Sequence, residues 1–359
     1  MKLIPTIAKL FLLLSTFILI VAGFLISPAL PQTRERTVTP SPAEANAKVA
    51  EIIKTDVDLV TIDALVLQKN TSRVVGNLKQ DDFLLFEDGA KQTITHFSQD
   101  NLPLSVLLMI DRGGCLDPFG EEVRTAARDA LSRLKPTDEV AVMTYDDDVD
   151  LMQGFTRDRL MLGRALRWVG EHHEEANHCL NIAFEEAANY MTKAANPAGR
   201  RVIVMITGVT RNWDCRGGPS HTTATHSVFE SGSVVSAIIP KSPAQVAENG
   251  MMRWATRFGK MAGVNYIDIQ KLADETGGEL LRDKPEELEG TFDTLITHLR
   301  TRYSFSFVST NRKRDGSMRK LKIDLQDGVE RSQGKLVVKS RRSYVAPKDL
   351  NAPPAKETN

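Results

Sequence analysis

The chain has 359 residues, with 46 Lys and Arg against 46 Asp and Glu, 42% hydrophobic residues and three cysteines. That length and ordinary composition exclude collagen-like, wholly disordered and multi-span membrane classes. Zero formal charge excludes a generic polyanion binder, so no nucleic-acid partner is expected, and three cysteines are too few for a disulfide-built scaffold.

The amino terminus departs from this average. Lys2 and Lys9 lead into an apolar run from Leu10 to Ile26, broken by Ser15, Thr16 and Gly23 and followed by Ser27-Pro28-Ala29. As a helix the run would reach roughly 26 Å, just short of the ~30 Å hydrocarbon core of a bilayer. Residues 1–29 are therefore expected to be a signal peptide or a retained N-terminal anchor. Either one exports the rest of the chain, which would be secreted, periplasmic or membrane-anchored outside the cytoplasm, where cysteines pair. Residues 30–49, rich in Pro, Thr, Ser and Ala, read as a disordered tether.

Residues 50–101 read as an N-terminal β segment. DVDLVTIDALV (56–66) alternates apolar and polar positions, and DDFLLFEDGAKQTITHF places an Asp88-Gly89 turn between two strands. At Leu104 the pattern changes to LSVLLMID, a continuous apolar run typical of a strand buried on both faces of a parallel sheet. Helical spacing (119–134), EVAVMTYDD, helices at 159–169 and 176–194, RRVIVMITG, SVVSAIIP, the helix QKLADETGG and GELLRD follow. Pro285 then opens a helix running to about Arg300. Alternating strands and helices over 102–302 imply an α/β fold with a doubly wound, mostly parallel sheet. Period two returns in 303–346, a C-terminal β segment expected to pair with the N-terminal one as a single accessory β domain; 347–359 reads as a disordered tail.

In open α/β sheets ligands bind beyond the carboxyl ends of the strands, which points to Asp111-Arg112-Gly113-Gly114-Cys115. This strand, loop and helix resemble the first segment of a von Willebrand factor type A (VWFA) domain. The blocks VDLVTIDALV, DDFLLFEDG, PLSVLLMID, EVAVMTYDD, RRVIVMITG, LADETGGELL, LRTRYSFSFVSTN and RRSYVAP, in this order over 56–346, resemble the bacterial VWFA-related family first described in acidobacteria.

The resemblance implies a metal-ion-dependent adhesion site, in which Asp-x-Ser-x-Ser, a Thr and an Asp on three loops hold a divalent cation. Hard cations need several oxygen donors. Here Asp111 is kept, but Gly113 and Cys115 stand at the serine positions, Asn177 at the threonine and Gly208 at the third-loop aspartate. Asp111 and Asn177 alone could offer oxygen, so no Mg²⁺ or Ca²⁺ is expected, and Asp111→Ala is expected to be close to neutral. In place of an ion, Cys115, Cys179 and Cys215 fall one in each loop, and a disulfide (Cys115–Cys215 or Cys179–Cys215) is expected to clip them. A zinc site drawing in His172, His178 or His221, or three inert thiols, are the alternatives.

Other candidates fail on spacing. His173 would need a partner four residues on, where Asn177 stands, so no zincin motif forms, and no nucleophile elbow, P-loop or dinucleotide-binding glycine trio occurs. Asp146-Asp147-Asp148 reads as a solvated strand end rather than a calcium loop. Met251, Trp254, Ala255, Phe258 and Met261 recur at helical spacing opposite Arg253, Arg257 and Lys260. That is a basic amphipathic helix, expected to pack on the domain body or to act as a lid or partner-binding helix.

The resulting expectation is an exported, non-enzymatic binding or adhesion module with no cofactor, recognising a protein or cell-surface component. Metal-dependent adhesion through a rebuilt ion site is one alternative. A redox or enzymatic role for Cys115, its thiol activated by Arg112 and a helix N-terminus, is the other. Without residues 1–29 the chain holds 44 basic and 46 acidic residues, yet 311–348 alone carries twelve basic and four acidic ones. That basic β segment, or the N-terminal run, could associate with the envelope.

Overall fold

The computed structural model describes residues 58–99, 102–168, 176–196, 199–261 and 263–349. The expected signal or anchor, the tether, most of the tail, and His172 and His173 lie outside the described residues.

The first strands are β1 (Leu59–Gln68), β2 (Phe83–Glu87), β3 (Ala90–Gln92) and β4 (Ile94–Ser98). Next come β5 (Leu104–Asp111), α1 (Gly120–Ser132), β6 (Glu139–Tyr145), β7 (Val149–Thr156), α2 (Arg159–Ala165), α3 (Leu180–Met191) and β8 (Arg200–Ile206). β9 (Arg211–Trp213), α4 (His221–Glu230), β10 (Val234–Pro240) and α5 (Pro243–Met261) follow. β11 (Tyr266–Asp268), α6 (Ile269–Thr276), β12 (Leu280–Asp283) and α7 (Leu288–Arg300) complete the α/β region. The chain then runs through β13 (Tyr303–Val308), β14 (Met318–Leu325), α8 (Asp327–Gln333), β15 (Leu336–Ser340) and β16 (Ser343–Val345).

The central sheet has the order β12-β10-β8-β5-β6-β7, parallel throughout except for the antiparallel edge strand β7. β5 is apolar along its length because both its faces are covered. Val106, Leu108 and Ile110 pack with Ala127 of α1 and Phe292 and Leu295 of α7. Leu107 and Met109 face Leu180 and Phe184 of α3 and Val228 of α4. The expected doubly wound sheet is thus present, and its strand order reverses beside β5, where the carboxyl-end loops gather.

The N- and C-terminal strands pair with one another in two antiparallel sheets, β15-β1-β13-β4 and β16-β14-β2-β3. Their shared core includes Ile62, Phe83, Leu85, Tyr303, Phe305, Phe307 and Ile323. Buried Arg200, the first residue of β8, donates to Asp63 Oδ2 (3.0 Å), to the Leu299, Arg300 and Arg302 carbonyls and to Ser304 Oγ. One guanidinium therefore ties the central sheet to β1 and β13.

Several boundaries differ from the sequence reading. α3 starts at Leu180 rather than at 176, because the residues before it are held out of the helix by contacts described below. The three aspartates form the turn of the β6–β7 hairpin, and β7 carries no clean alternation that would have revealed it. The helix at 243–261 does not take the first alternative, apolar packing on the domain body. It packs through Gln245, Asn249 and Thr256, while Met251, Trp254, Phe258 and Met261 are 70%, 64%, 51% and 81% exposed. Its apolar stripe does not cover the domain body.

Candidate functional site

β5, β6 and β8 end side by side, and their last residues converge on one carboxylate. Asp111 closes β5, Tyr145 closes β6, and Thr207 follows β8 directly. Asp111 is buried and accepts four hydrogen bonds. Its Oδ1 accepts from the Gly113 backbone N–H (2.9 Å) and pairs with His178 Nδ1 at 2.8 Å, while Oδ2 accepts from Tyr145 OH (2.9 Å) and Thr207 Oγ1 (2.6 Å). Burial pushes the Asp111 carboxyl up, but the His178 contact and charge, with Thr207 and Gly113, outweigh it and hold the group below the ordinary carboxylate range. The same burial and the Asp111 charge raise the Tyr145 hydroxyl well above its usual value, keeping it a donor.

Two glycines decide the geometry. A Cβ on Gly113 would stand 2.5 Å from both Cε1 and Nδ1 of His178, so the imidazole fills the space a side chain there would need. A Cβ on Gly208 would stand 2.6 Å from Gln245 Nε2, 2.9 Å from Cys115 Cβ and 3.1 Å from Cys115 Sγ. At both positions where the adhesion pattern would place an oxygen-bearing side chain, another side chain of this chain occupies the room.

Asn177, expected as the second-loop ligand, donates instead to Asp147 Oδ1 at the exposed rim (2.6 Å). The segment before α3 is neither helix nor strand and turns tightly at Cys179, where the Leu180 N–H donates to the His178 carbonyl (2.8 Å); within it His178 reaches Asp111 while exposed Asn177 stays at the rim. Cys179 pins that segment, because its N–H donates to the Asp146 carbonyl (2.9 Å) and its sulfur is bonded to Cys215. Asn212 Nδ2 donates to the His178 carbonyl at 2.8 Å. The Cys179–Cys215 pair is one of the two expected; the other, Cys115–Cys215, does not form, and Cys115 is a free thiol.

Cys115 faces β8, accepting from the Gly208 N–H at 3.1 Å. Burial and the Asp111 carboxylate push its thiol far up, and Arg112 is engaged with Asp146 (3.0 Å) and Asp150 (2.8 Å). This is the reverse of an activated nucleophile. His221, in the expected zinc set, contacts Asp214 instead (3.3 Å).

Asp111, Cys115 and His178 do bring one ligand atom each within 4.8 Å of one another. They do not fit the hard cation the fold family implies: Gly113 and Gly208 offer no side-chain oxygen, and both Asp111 oxygens already accept two donors. As a zinc set they number three, one of them a carboxylate already accepting from Tyr145, Thr207 and Gly113, so a fourth protein ligand is missing among the described residues.

The helix α5 borders the site. Gln245 Nε2 donates to the Cys115 carbonyl (2.9 Å), Asn249 Nδ2 to the Gly208 carbonyl (2.8 Å), and Asn249 Oδ1 accepts from the Thr210 N–H (2.9 Å). Tyr145, Thr207, Gln245 and Asn249 were not singled out from sequence. The ends of parallel strands were the available signal for the first two; Gln245 and Asn249 carried none.

Residues 106–210 match the family model described as von Willebrand factor type A domain. No curated protein matches the chain. Among solved structures, the chain is similar to an aerotolerance-related membrane protein from Bacteroides fragilis, at 15% identity and TM-score 0.38, over 55% of this chain and 98% of that one. A conserved hypothetical protein, BatB, from Bacteroides thetaiotaomicron gives 15% identity and TM-score 0.36 over 54% and 98%. The pilus adhesin from Streptococcus pneumoniae gives 14% identity and TM-score 0.28 over 43% and 27%. At these scores the likeness transfers no function.

Proposed function

We propose that this chain, which carries a von Willebrand factor type A domain over the matched residues 106–210, is an exported, non-enzymatic binding module. It recognises a protein or cell-surface component through the loop face around Asp111 without help from a metal ion. The observation that carries this reading is the His178 ring standing where a side chain on Gly113 would stand, paired with Asp111 at 2.8 Å. An imidazole and three further donors satisfy the carboxylate that a cation satisfies in the adhesion pattern. The Cys179–Cys215 bond holds the second and third loops in register for that contact, which suits an oxidising compartment. Non-enzymatic action is supported by the half-buried Cys115 thiol, which is held protonated rather than activated. Among the described residues no helix is long and apolar enough to cross a membrane.

The test is retention of the full chain on delipidated envelope proteins of its own host, with excess chelator and with Mg²⁺. Equal retention in both, lost in the rim variants Asp147→Arg and Asn177→Arg, supports the reading. Retention that requires Mg²⁺ overturns it.

A further inference from the structure

α5 is built inside out. Its inward side carries Gln245, Asn249 and Thr256, all hydrogen-bonded, and the Trp213 ring lies against its backbone at Gly259. Its outward side carries Met251, Trp254, Phe258 and Met261, spaced three and four residues apart on one stripe, with the Trp254 and Phe258 rings 4.5 Å apart. Four large apolar side chains in a row, each more than half exposed, are not the scattered exposure an ordinary surface tolerates. Gln245 and Asn249 bond the loops and Trp213 packs on Gly259, while Thr256 bonds back to its own helix; the exposed stripe lies away from these attachments.

The charges beside the stripe select its occupant. Arg253 and Arg257 are exposed along one flank, Lys260 lies in the same run, and no acidic residue occurs between Asn249 and Ile267. A second copy docking stripe to stripe would bring these arginines toward their own counterparts and oppose association. An aromatic and methionine stripe edged by arginines has instead the composition of a helix lying in a membrane interface, with its rings among the acyl chains and its cations at anionic headgroups.

We propose that α5 docks on an anionic lipid surface, with Trp254 and Phe258 inserted and Arg253 and Arg257 at the headgroups. Because Gln245 and Asn249 grip the first and third loops of the Asp111 site, such docking places that loop face beside the bilayer.

The experiment uses the full chain and vesicles of phosphatidylcholine with or without phosphatidylglycerol, some carrying brominated acyl chains. The readout is the emission lost in Trp254→Phe, which isolates Trp254 from Trp168 and Trp213. On phosphatidylglycerol vesicles this emission is expected to shift to the blue and to be quenched by bromine. In Arg253→Gln/Arg257→Gln the lipid needed for half the shift should rise roughly thirty-fold, the combined effect of two interfacial cations. Vesicle binding with Trp254 still emitting as in water would overturn the proposal, since the chain would then bind lipid without inserting α5. So would an equal response to pure phosphatidylcholine. A lipid-free dimer that dissociates in Trp254→Ser would also overturn it, assigning the stripe to a second copy.

Discussion

His178 Nδ1 lies 2.8 Å from Asp111 Oδ1, across 67 positions of sequence, and its ring fills the space beside Gly113 that a longer side chain would take. The carboxylate is thus neither vacant nor dispensable. Its removal orphans four buried or half-buried donors, so the sequence-based expectation that Asp111→Ala is neutral does not stand.

His178→Ala removes the imidazole and leaves Asp111 buried with three neutral donors. Stability should fall by about 2–4 kcal/mol in urea unfolding at neutral pH. Combined with Asp111→Asn, the loss should be well below the sum of the two single losses, since each already breaks the same pair. Additive losses would show that the pair is not coupled.

The pH dependence follows from the sign of the Asp111 shift. Its folded-state pKa is depressed, so the stabilisation is fully present above the unfolded carboxyl value near ~4 and is lost as pH falls through the lower folded-state value. Asp111→Asn should therefore flatten the acid limb of the stability profile relative to the wild type. An unchanged acid limb in that variant would place the titration elsewhere.

Cys215→Ser opens a loop closed over a sequence separation of 36. The entropy of that closure is worth about 3–4 kcal/mol, and urea unfolding should show a loss of that order. In the unreduced wild type one thiol, Cys115, should react with iodoacetamide, and only after denaturation. Three reactive thiols would remove the clip from the account.

Metal ions should leave the wild type unmoved. Neither Mg²⁺ nor Ca²⁺ at millimolar concentration should raise the melting temperature, because both Asp111 oxygens are occupied by donors. Zinc should behave the same way. A zinc-dependent rise abolished by His178→Ala would instead put a metal on Asp111, Cys115 and His178.

Gly113→Ser should destabilise by a few kcal/mol, since its Cβ would stand 2.5 Å from the imidazole and drive His178 off Asp111. In crystals of this variant His178 should have moved away from the loop. An unshifted ring would show that the loop yields instead.

Much of this protein is local and therefore legible in sequence. The run LSVLLMID declares a strand covered on both faces, the alternation in 56–66 declares a half-buried one, and loop glycines at 113 and 208 declare side chains that are missing. What fills the missing space is not local. Residue 178 turns inward just ahead of α3, beside Cys179, whose disulfide partner lies 36 positions away. Which side of α5 faces the protein is open in its sequence, because partners for Gln245 and Asn249 exist only once the carboxyl-end loops are assembled. Sequence determined the sheet, through periodicity, and which residue types stand at its carboxyl edge. Only the tertiary structure decided that a histidine, a thiol and a glutamine take up the vacated space, because contacts between distant loops have no period to read.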